Sequence, residues 1–327
     1  MSEKSISLQP RDIQAIDAAK LYYSGMTQAE VADKLHVARP TVSKLLAHAE
    51  KRGFIRVQVL DPRERDEMLV DTLIQRYQLL DLILVSPARP DEDSLRQSLG
   101  QAGAKLLKSL VRDGDMIGVV PSRTVAALAD HLERLPRRDV TVVQVSNGLS
   151  EPRTADGQPT TMQRLAHAFD ARCVALTAPT FLGSVAVQNR LMKIPEFRRV
   201  LDLAVRARIV LYTVGDIATN RHLIERSPLT QHDREELFAR AVGDICSRFV
   251  DESGRVCLPD FNNRTLGISL PDLRHKEQKI LVAGGPSKVK AIRAALENGY
   301  VNRLVTDVET ARAIVQSSSI QSYLQVI

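Results

Sequence analysis

The sequence predicts an α/β protein in two parts, a small helical N-terminal unit and a larger domain built on a mostly parallel sheet. Three observations carry this. Residues 11–59 hold three short helical patterns and an alternating run. From about residue 80, short β-branched runs alternate with amphipathic segments. Between them, residues 60–67 are polar, contain Pro62 and have no periodicity, which marks a linker. The expected division is therefore 1–59, a linker at 60–67, and 68–327. The chain has 327 residues, 44% hydrophobic and 26% charged, enough for two unequal domains with a sizeable core. Trp is absent and aromatics are 4%, so Leu, Val, Ile and Ala must fill that core.

In the first part, Ile13, Ile16, Ala19 and Tyr23 follow helical spacing, and Ser24-Gly25 stops the helix. Thr27 is a natural N-cap, with Glu30 completing a capping box. Val31, Ala32 and Leu35 give this short helix an apolar face. A turn at His36-Val37-Ala38 leads to a third helix, with Val42, Leu45, Leu46 and Ala49 at i, i+3, i+4 and i+7. Phe54–Val59 alternates and reads as a short strand or wing.

In the second part, a helix is expected over Glu67–Tyr77. Strands are expected at Leu82–Val85, Met116–Val120, Val140–Val145, Cys173–Leu176, Ile209–Val214, Ile280–Ala283 and Arg303–Val305. Helices such as Leu95–Val111, Thr124–Leu135 and Ser287–Asn298 lie between them. Apolar strands alternating with helices imply a sheet covered on both faces. Ligands of such sheets bind at the carboxyl ends of the strands.

The formal charge is +6, and its distribution is uneven. Lys34, Arg39, Lys44, Lys51, Arg52 and Arg56 stand against one acid, Glu50, in a short stretch. Such a basic face suits a polyanion, or is simply a solvated helix surface. Cys173, Cys246 and Cys257 have no metal-ligand spacing, so neither a metal nor a disulfide framework is expected. The N-terminus lacks an apolar signal region and no apolar run approaches ~18 residues. A cytoplasmic protein without a membrane span is expected.

Gln28–Leu46, QAEVADKLHVARPTVSKLL, has the spacing of a helix-turn-helix. A small residue, Ala32, sits where the helices cross, and Val37 and Val42 tuck into their shared core. The turn position, often Gly because positive φ is common there, is His36. An α-helix fits the DNA major groove with its N-terminal residues at base edges. The candidate DNA-contacting residues are Gln28, Arg39, Pro40, Thr41, Ser43, Lys44 and His48. A three-helix docking module without DNA is the alternative.

Four strand-end segments carry chemistry suited to a small anionic or hydroxylated ligand. In Val120–Thr124 a strand gives way to a helix, whose amide groups, with Ser122, Arg123 and Thr124, favour an anion. Ser146-Asn147-Gly148 offers short polar side chains. Asp216 closes a strand, and Asp244 is placed before a helix, either as a cap or as an acceptor for two hydroxyls. Gly284–Lys288 follows a strand and lacks Walker-loop spacing, yet Lys288 can reach an anion. Each segment also has a plain structural reading, as a capped helix start or a tight turn.

The chain resembles the SorC family of bacterial sugar-responsive transcriptional regulators, which includes deoxyribonucleoside and central-glycolysis regulators. The likeness runs from about residue 13 to 316. It rests on LYYSGMTQAEVADKLHVARPTVSKLLAHAEKRGFIRVQV, IGVVPSRTVAAL, VVQVSNG, AVGDICSRFVDESG and VAGGPSKVKAIRAALENGYVNRLVTDVETARAIV. The resemblance implies a Rossmann-like, sugar-isomerase-like effector-binding domain and oligomers built from dimers. It also implies operator DNA as a partner, no cofactor, and DNA affinity adjusted by a phosphosugar. Ser122, Arg123 and Thr124 match the family's phosphate loop, although Pro121 and Arg123 replace its usual small residues, and Lys288 matches a residue facing the effector. Some relatives have Lys, able to form a Schiff base, where this chain has Ser146, which implies non-covalent binding here.

An isomerase-like enzyme with an appended DNA-binding domain is the rival reading. It requires a positioned base, and Asp216, Asp244 and Glu151 come with no recognisable acid–base constellation. The expected function is therefore a regulator, a repressor of a sugar or nucleoside operon acting as a dimer or tetramer, with no catalytic residue. An architectural DNA binder without a ligand would leave the polar strand-end loops unexplained.

Overall fold

The computed structural model describes residues 8–55, 62–147, 158–225 and 227–324. Its contacts divide the chain into two units, Met1–Pro62 and Arg63–Ile327.

The first unit holds α1 (Pro10–Tyr23), α2 (Gln28–Leu35) and α3 (Arg39–Lys51). The capping box forms: Thr27 N–H donates to the Glu30 carboxylate at 2.7 Å, and Glu30 N–H donates to the Thr27 hydroxyl at 3.4 Å. Val31, Ala32, Val42, Leu45 and Ala49 are buried together. The buried face of α1 differs from expectation: Ala15, Ala18 and Ala19 point inward with Asp12, while Ile13 is 50% and Tyr23 57% exposed. The small alanines let α1 lie close against α3, a steric gain that the spacing of large residues conceals. Of the expected strand Phe54–Val59, residues 56–59 lie outside the described residues.

Helix α4 (Pro62–Tyr77) starts at the last residue of the first unit and runs into the second, so most of the stretch read as a linker is helical. Pro62 is at the start of that helix, where its missing N–H has no helical partner to lose. The strands are β1 (Asp81–Val85), β2 (Met116–Val119), β3 (Thr141–Gln144), β4 (Arg172–Val174), β5 (Ile209–Tyr212), β6 (Val214–Gly215), β7 (Gly243–Ile245), β8 (Arg248–Val250), β9 (Gln278–Val282) and β10 (Arg303–Asp307). The helices are α5 (Glu92–Leu110), α6 (Arg123–Asp130), α7 (Thr161–Phe169), α8 (Val185–Leu191), α9 (Pro195–Arg206), α10 (Ile217–Glu225), α11 (Gln231–Arg240), α12 (Pro259–Asn262), α13 (Leu270–Arg274), α14 (Val289–Glu297) and α15 (Val308–Leu324).

Seven strands form one sheet in the order β1-β10-β9-β5-β2-β3-β4, and every neighbouring pair is parallel. Each expected strand is present in it. Burial on both faces is written into the strands: Ile209 and Leu211 enter one apolar cluster, Val210 and Tyr212 the other. The chain runs outward from β2 through β3 to β4, then returns to the other side of β2 for β5, β9 and β10. The sheet order therefore switches direction between β2 and β5. At such a point the loops leave in opposite directions and open a crevice at the carboxyl ends.

A small antiparallel sheet, β6-β7-β8, was not expected. The segment Gly243-Asp244, read as preceding a helix, is a strand of a tight hairpin. Its two-residue turn is Cys246–Ser247, with φ of 51° and 66°. Positive φ at both turn residues matches the twist of a hairpin, and it is normally signalled by Asn-Gly or Asp-Gly. Cys-Ser gives no such signal.

Candidate DNA-binding face and effector site

Arg39, Pro40, Thr41, Ser43 and Lys44 are exposed on the first turns of α3, while Val42 and Leu45 turn inward. Gln28, at the start of α2, is half-buried. His36 ends α2 in the left-handed region with φ 50°, the conformation expected of the turn position. Val37 N–H then donates to the Ala32 carbonyl at 3.0 Å, closing the turn. His48 lies farther along α3, with its Nε2 2.8 Å from the Asp12 carboxylate of α1. Arg52 donates to the other Asp12 oxygen at 3.2 Å. The His48 bond, then the Gln9 amide, hold the Asp12 carboxyl below the usual carboxylate range. This ion cluster clamps α3 onto α1 and fixes the roll of the helix that presents Arg39 and Lys44. The sequence reading missed Asp12, whose only signal is an acid on an otherwise alanine-lined face.

In the second unit the polar groups gather where the β2 and β5 ends meet. Ser122 caps α6, its hydroxyl accepting from Val125 N–H at 3.1 Å. Arg123 is exposed beside it and Thr124 is buried in the first turn. Asp216 follows β6; its carboxylate accepts from Thr219 N–H at 2.8 Å and faces the Ser287 hydroxyl at 3.4 Å. The β6–β7 register sets Asp244 opposite Gly215, the residue before Asp216. A Cβ at Gly215 would collide with the Asp244 carboxylate and the Asn220 amide, so a side chain there would displace this pair. Asp244 accepts from Asn220 Nδ2 and from Ser247 N–H, both at 3.0 Å.

Lys288 completes the group. It ends the short 3₁₀ turn Pro286–Lys288 after β9, entered through Gly285 at φ 96°. Asp307 and Thr310 receive the Gly285 N–H at 3.0 and 2.8 Å and so pin this loop over the sheet edge. Among the described residues no hydrogen-bond or ion-pair partner meets the half-buried Lys288 ammonium. Burial holds its pKa below the usual lysine range, and the Arg123 and Arg96 guanidinium groups add to this. Asp216 and Asp244 pull the other way. The arrangement is an amine held among charges at a crevice, without a neutralising contact of its own.

Ser146 and Asn147 stand differently. Ser146 is fully buried, with its hydroxyl 2.8 Å from that of Ser247. The Asn147 oxygen accepts from Gln144 at 2.9 Å and its amide donates to the Ala178 carbonyl. Both side chains are engaged within the protein. The depression lined by Asp130, Arg134, Gln163 and His167 lies at the other end of α6 and gathers no comparable set of buried charges.

Burial pushes the Asp244 carboxyl up to about 6, and Asp216 adds to the rise against the Ser247 amide and the Lys288 ammonium. An acid with a raised folded pKa stabilises the fold fully below its unfolded value. That contribution is lost as pH rises through the folded one. Wild-type stability should thus fall relative to Asp244→Asn between pH 4 and 7, by roughly 2–3 kcal/mol. Urea unfolding of both proteins across this range checks it. A difference that stays constant with pH would show that Asp244 does not titrate there.

Residues 61–316 match the family model for a sugar-binding domain, Sugar-bind. The chain belongs to the SorC-like family of sugar-binding transcriptional regulators. It is 36% identical over 302 residues to the deoxyribonucleoside regulator of Bacillus subtilis (strain 168), covering 92% of this chain and 96% of that one. The full-length sorbitol operon regulator SorC of Klebsiella pneumoniae superposes with a TM-score of 0.69 at 27% identity, over 94% of this chain and 99% of that structure. A transcriptional regulator from Streptococcus pneumoniae TIGR4 shares the fold at TM-score 0.72 and 23% identity, over 79% of this chain and all of that one.

The SorC-like relatives are named as regulators, not enzymes. In this SorC-like chain, residues that the sequence reading did not single out shape the site: Asn220 and Ser247 hold Asp244, Ser287 faces Asp216, and Arg96 bears on Lys288. Asn220 lies one helical turn after Asp216, a spacing that was open to view. Ser247 was hidden by the unrecognised hairpin. Among the described residues no helix is long and apolar enough to cross a membrane, and no cluster of His, Cys, Asp and Glu is placed to hold a metal ion.

Proposed function

We propose that this regulator reads operator DNA with Arg39, Thr41, Ser43 and Lys44 of α3. Gln28, Pro40 and His48 support that contact. Its DNA affinity is set by a phosphorylated sugar bound at the β2–β5 crevice, and it acts as a repressor in a dimer or tetramer. The observation that carries the effector reading is the unpartnered Lys288 ammonium, beside Arg123 and the Ser122-capped start of α6. A phosphate dianion supplies the missing counter-charge, with the amide groups of the first turn of α6 as further donors. The sugar hydroxyls would then face Asp216 and Asp244, carboxylates suited to accept two hydrogen bonds each. Ser146 and Asn147, bonded to Ser247, Gln144 and Ala178, hold the neighbouring end of β3.

The test is a melting-temperature screen of pentose, deoxyribose and hexose phosphates, their unphosphorylated sugars, and inorganic phosphate. A ligand that binds only the folded chain raises its stability by mass action, about 2.7 kcal/mol at a hundredfold excess over Kd. A rise with a sugar phosphate and none with the free sugar supports the reading. A rise with free sugars alone would overturn the phosphate assignment.

The DNA face has its own test. On a duplex selected from a random pool by the wild-type chain, Arg39→Ala or Lys44→Ala should weaken binding by roughly 1–3 kcal/mol where the side chain reads a base. A side chain that meets only phosphate should weaken all duplexes alike and flatten the salt dependence. Unchanged gel-shift affinity for both variants would remove α3 from the DNA interface.

A further inference from the structure

Helix α9 is fixed to the larger unit along one side. Val200, Leu203 and Ala204 join the main apolar core, and Phe197 and Leu201 pack on a smaller cluster with Leu176, Leu182 and Leu266. Its C-terminal end is closed by the buried Lys276, whose ammonium donates to the carbonyls of Ala204, at 3.1 Å, and Val205. These contacts set the roll of α9 and leave Arg198, Arg199, Asp202 and Arg206 exposed at helical spacing on its outward side. Arg190 near the end of α8 and Lys193 in the turn before α9 are exposed as well. Among the described residues none of these cations has a side-chain hydrogen bond or an ion pair. Glu196 and Asp202 stand three and four positions before Arg199 and Arg206, yet those pairs are not made.

We propose that the outward side of α9, with Arg190 and Lys193 just before it, binds the phosphate backbone of duplex DNA without reading its sequence. Arg190, Lys193, Arg198, Arg199 and Arg206 stand against Glu196 and Asp202 alone, an excess that attracts a polyanion. All but Lys193 are arginines, whose forked donors match phosphate oxygens. The same composition argues against a protein partner. Charged residues are depleted at the centre of protein–protein interfaces, where aromatic anchors take their place. Here the exposed apolar side chains are aliphatic, Val185, Val187, Ile194 and Val205, and the nearby ring of Phe197 is half-buried. Arg199 and Arg206 lie seven residues apart, about 10 Å along the helix axis. Each strand of a duplex carries one charge per ~3.4 Å of its axis, so the two guanidinium groups can engage different phosphates. None of these residues belongs to α3 or to the crevice, and the proposal stands apart from both of those readings.

The test uses the full-length chain and two labelled duplexes, one of arbitrary sequence and one selected by the wild type, titrated by fluorescence anisotropy over a series of salt concentrations. Arg199→Gln with Arg206→Gln should weaken binding to both duplexes by the same factor. It should also lower the slope of log affinity against log salt by roughly 1–2, as expected for the loss of two phosphate contacts. Arg199→Lys with Arg206→Lys should keep most of that slope. Lys105→Gln with Arg134→Gln removes the same charge from exposed positions on α5 and after α6, and should leave the slope at the wild-type value. Melting curves confirm that each variant is folded. An unchanged slope after the α9 substitutions would overturn the proposal and leave this face to an acidic protein. An equal fall from the Lys105 and Arg134 substitutions would overturn it too, reducing the effect to net charge. Either failure leaves the α3 reading standing, since that reading is judged by the preference for the selected duplex over the arbitrary one.

Discussion

Arg248→Met should destabilise the larger unit by about 3–5 kcal/mol, because it strips several buried acceptors at once. Arg248 is 6% exposed, and its guanidinium donates to the carbonyls of Ile268, Asn262, Thr265 and Gly267 and to the Asn262 side chain, at 2.6 to 3.3 Å. Among the described residues no carboxylate forms an ion pair with it, and Asp272 acts on it only through longer-range charge. The charge is solvated by a cage of main-chain dipoles from one irregular segment. Met keeps most of the volume, so packing loss is small and the missing donors dominate. Each abandoned buried carbonyl costs roughly 1–3 kcal/mol. The consequence reaches the candidate effector site, since the caged segment packs on β3: Ile268 N–H donates to the Val145 carbonyl at 2.7 Å. Urea unfolding followed by circular dichroism measures the loss. A change below 1 kcal/mol would mean that water or a rearranged chain replaces the arginine at little cost.

Lys288→Met should do the opposite to stability and far more to binding. Removing a desolvated ammonium that makes no hydrogen bond or ion pair among the described residues relieves a burial penalty that outweighs its attraction to Asp216 and Asp244. A charge-assisted contact to phosphate is worth about 1.5–3 kcal/mol, so affinity for the stabilising sugar phosphate should drop roughly 10- to 150-fold. Calorimetric titration of both proteins gives the ratio, and their ligand-free melting temperatures give the control. Equal affinities would place the phosphate elsewhere on the molecule.

Much of this architecture is legible in the sequence because the parallel strands are buried on both faces. Runs such as Ile209–Tyr212 must then be apolar throughout. The helix-turn-helix is legible for a local reason: Thr27 and Glu30 bond to each other's backbone, and His36 accepts the left-handed turn. What was not legible depends on contacts distant in sequence. The roll of α1 is set by alanines meeting α3 and by Asp12 reaching His48, so Ile13 and Tyr23 point outward while Leu21 and Tyr22 pack on the core. The β7–β8 hairpin has two strands too short for a pattern and a turn without Gly or Asn. Its strained Cys246–Ser247 corner persists because Ser247 bonds both Asp244 and Ser146. Four of the eight effector-site candidates, Arg123, Asp216, Asp244 and Lys288, interact with one another through charge. Ser146 and Asn147 are spent on partners within the protein.

Ligand at the β2–β5 crevice should change DNA affinity. A ligand can do so only by binding the DNA-competent and DNA-incompetent forms unequally, and the usual coupling is about 1–3 kcal/mol. The deciding measurement is a fluorescence-anisotropy titration of the selected duplex, at one salt concentration, with and without the stabilising sugar phosphate, for wild type and Lys288→Met. Wild type should shift its DNA affinity roughly 5- to 150-fold. The variant should match the wild-type affinity without ligand and show no shift at the same ligand concentration. A variant that shifts as wild type does, or a wild type whose DNA affinity ignores a ligand that measurably stabilises it, would contradict the account.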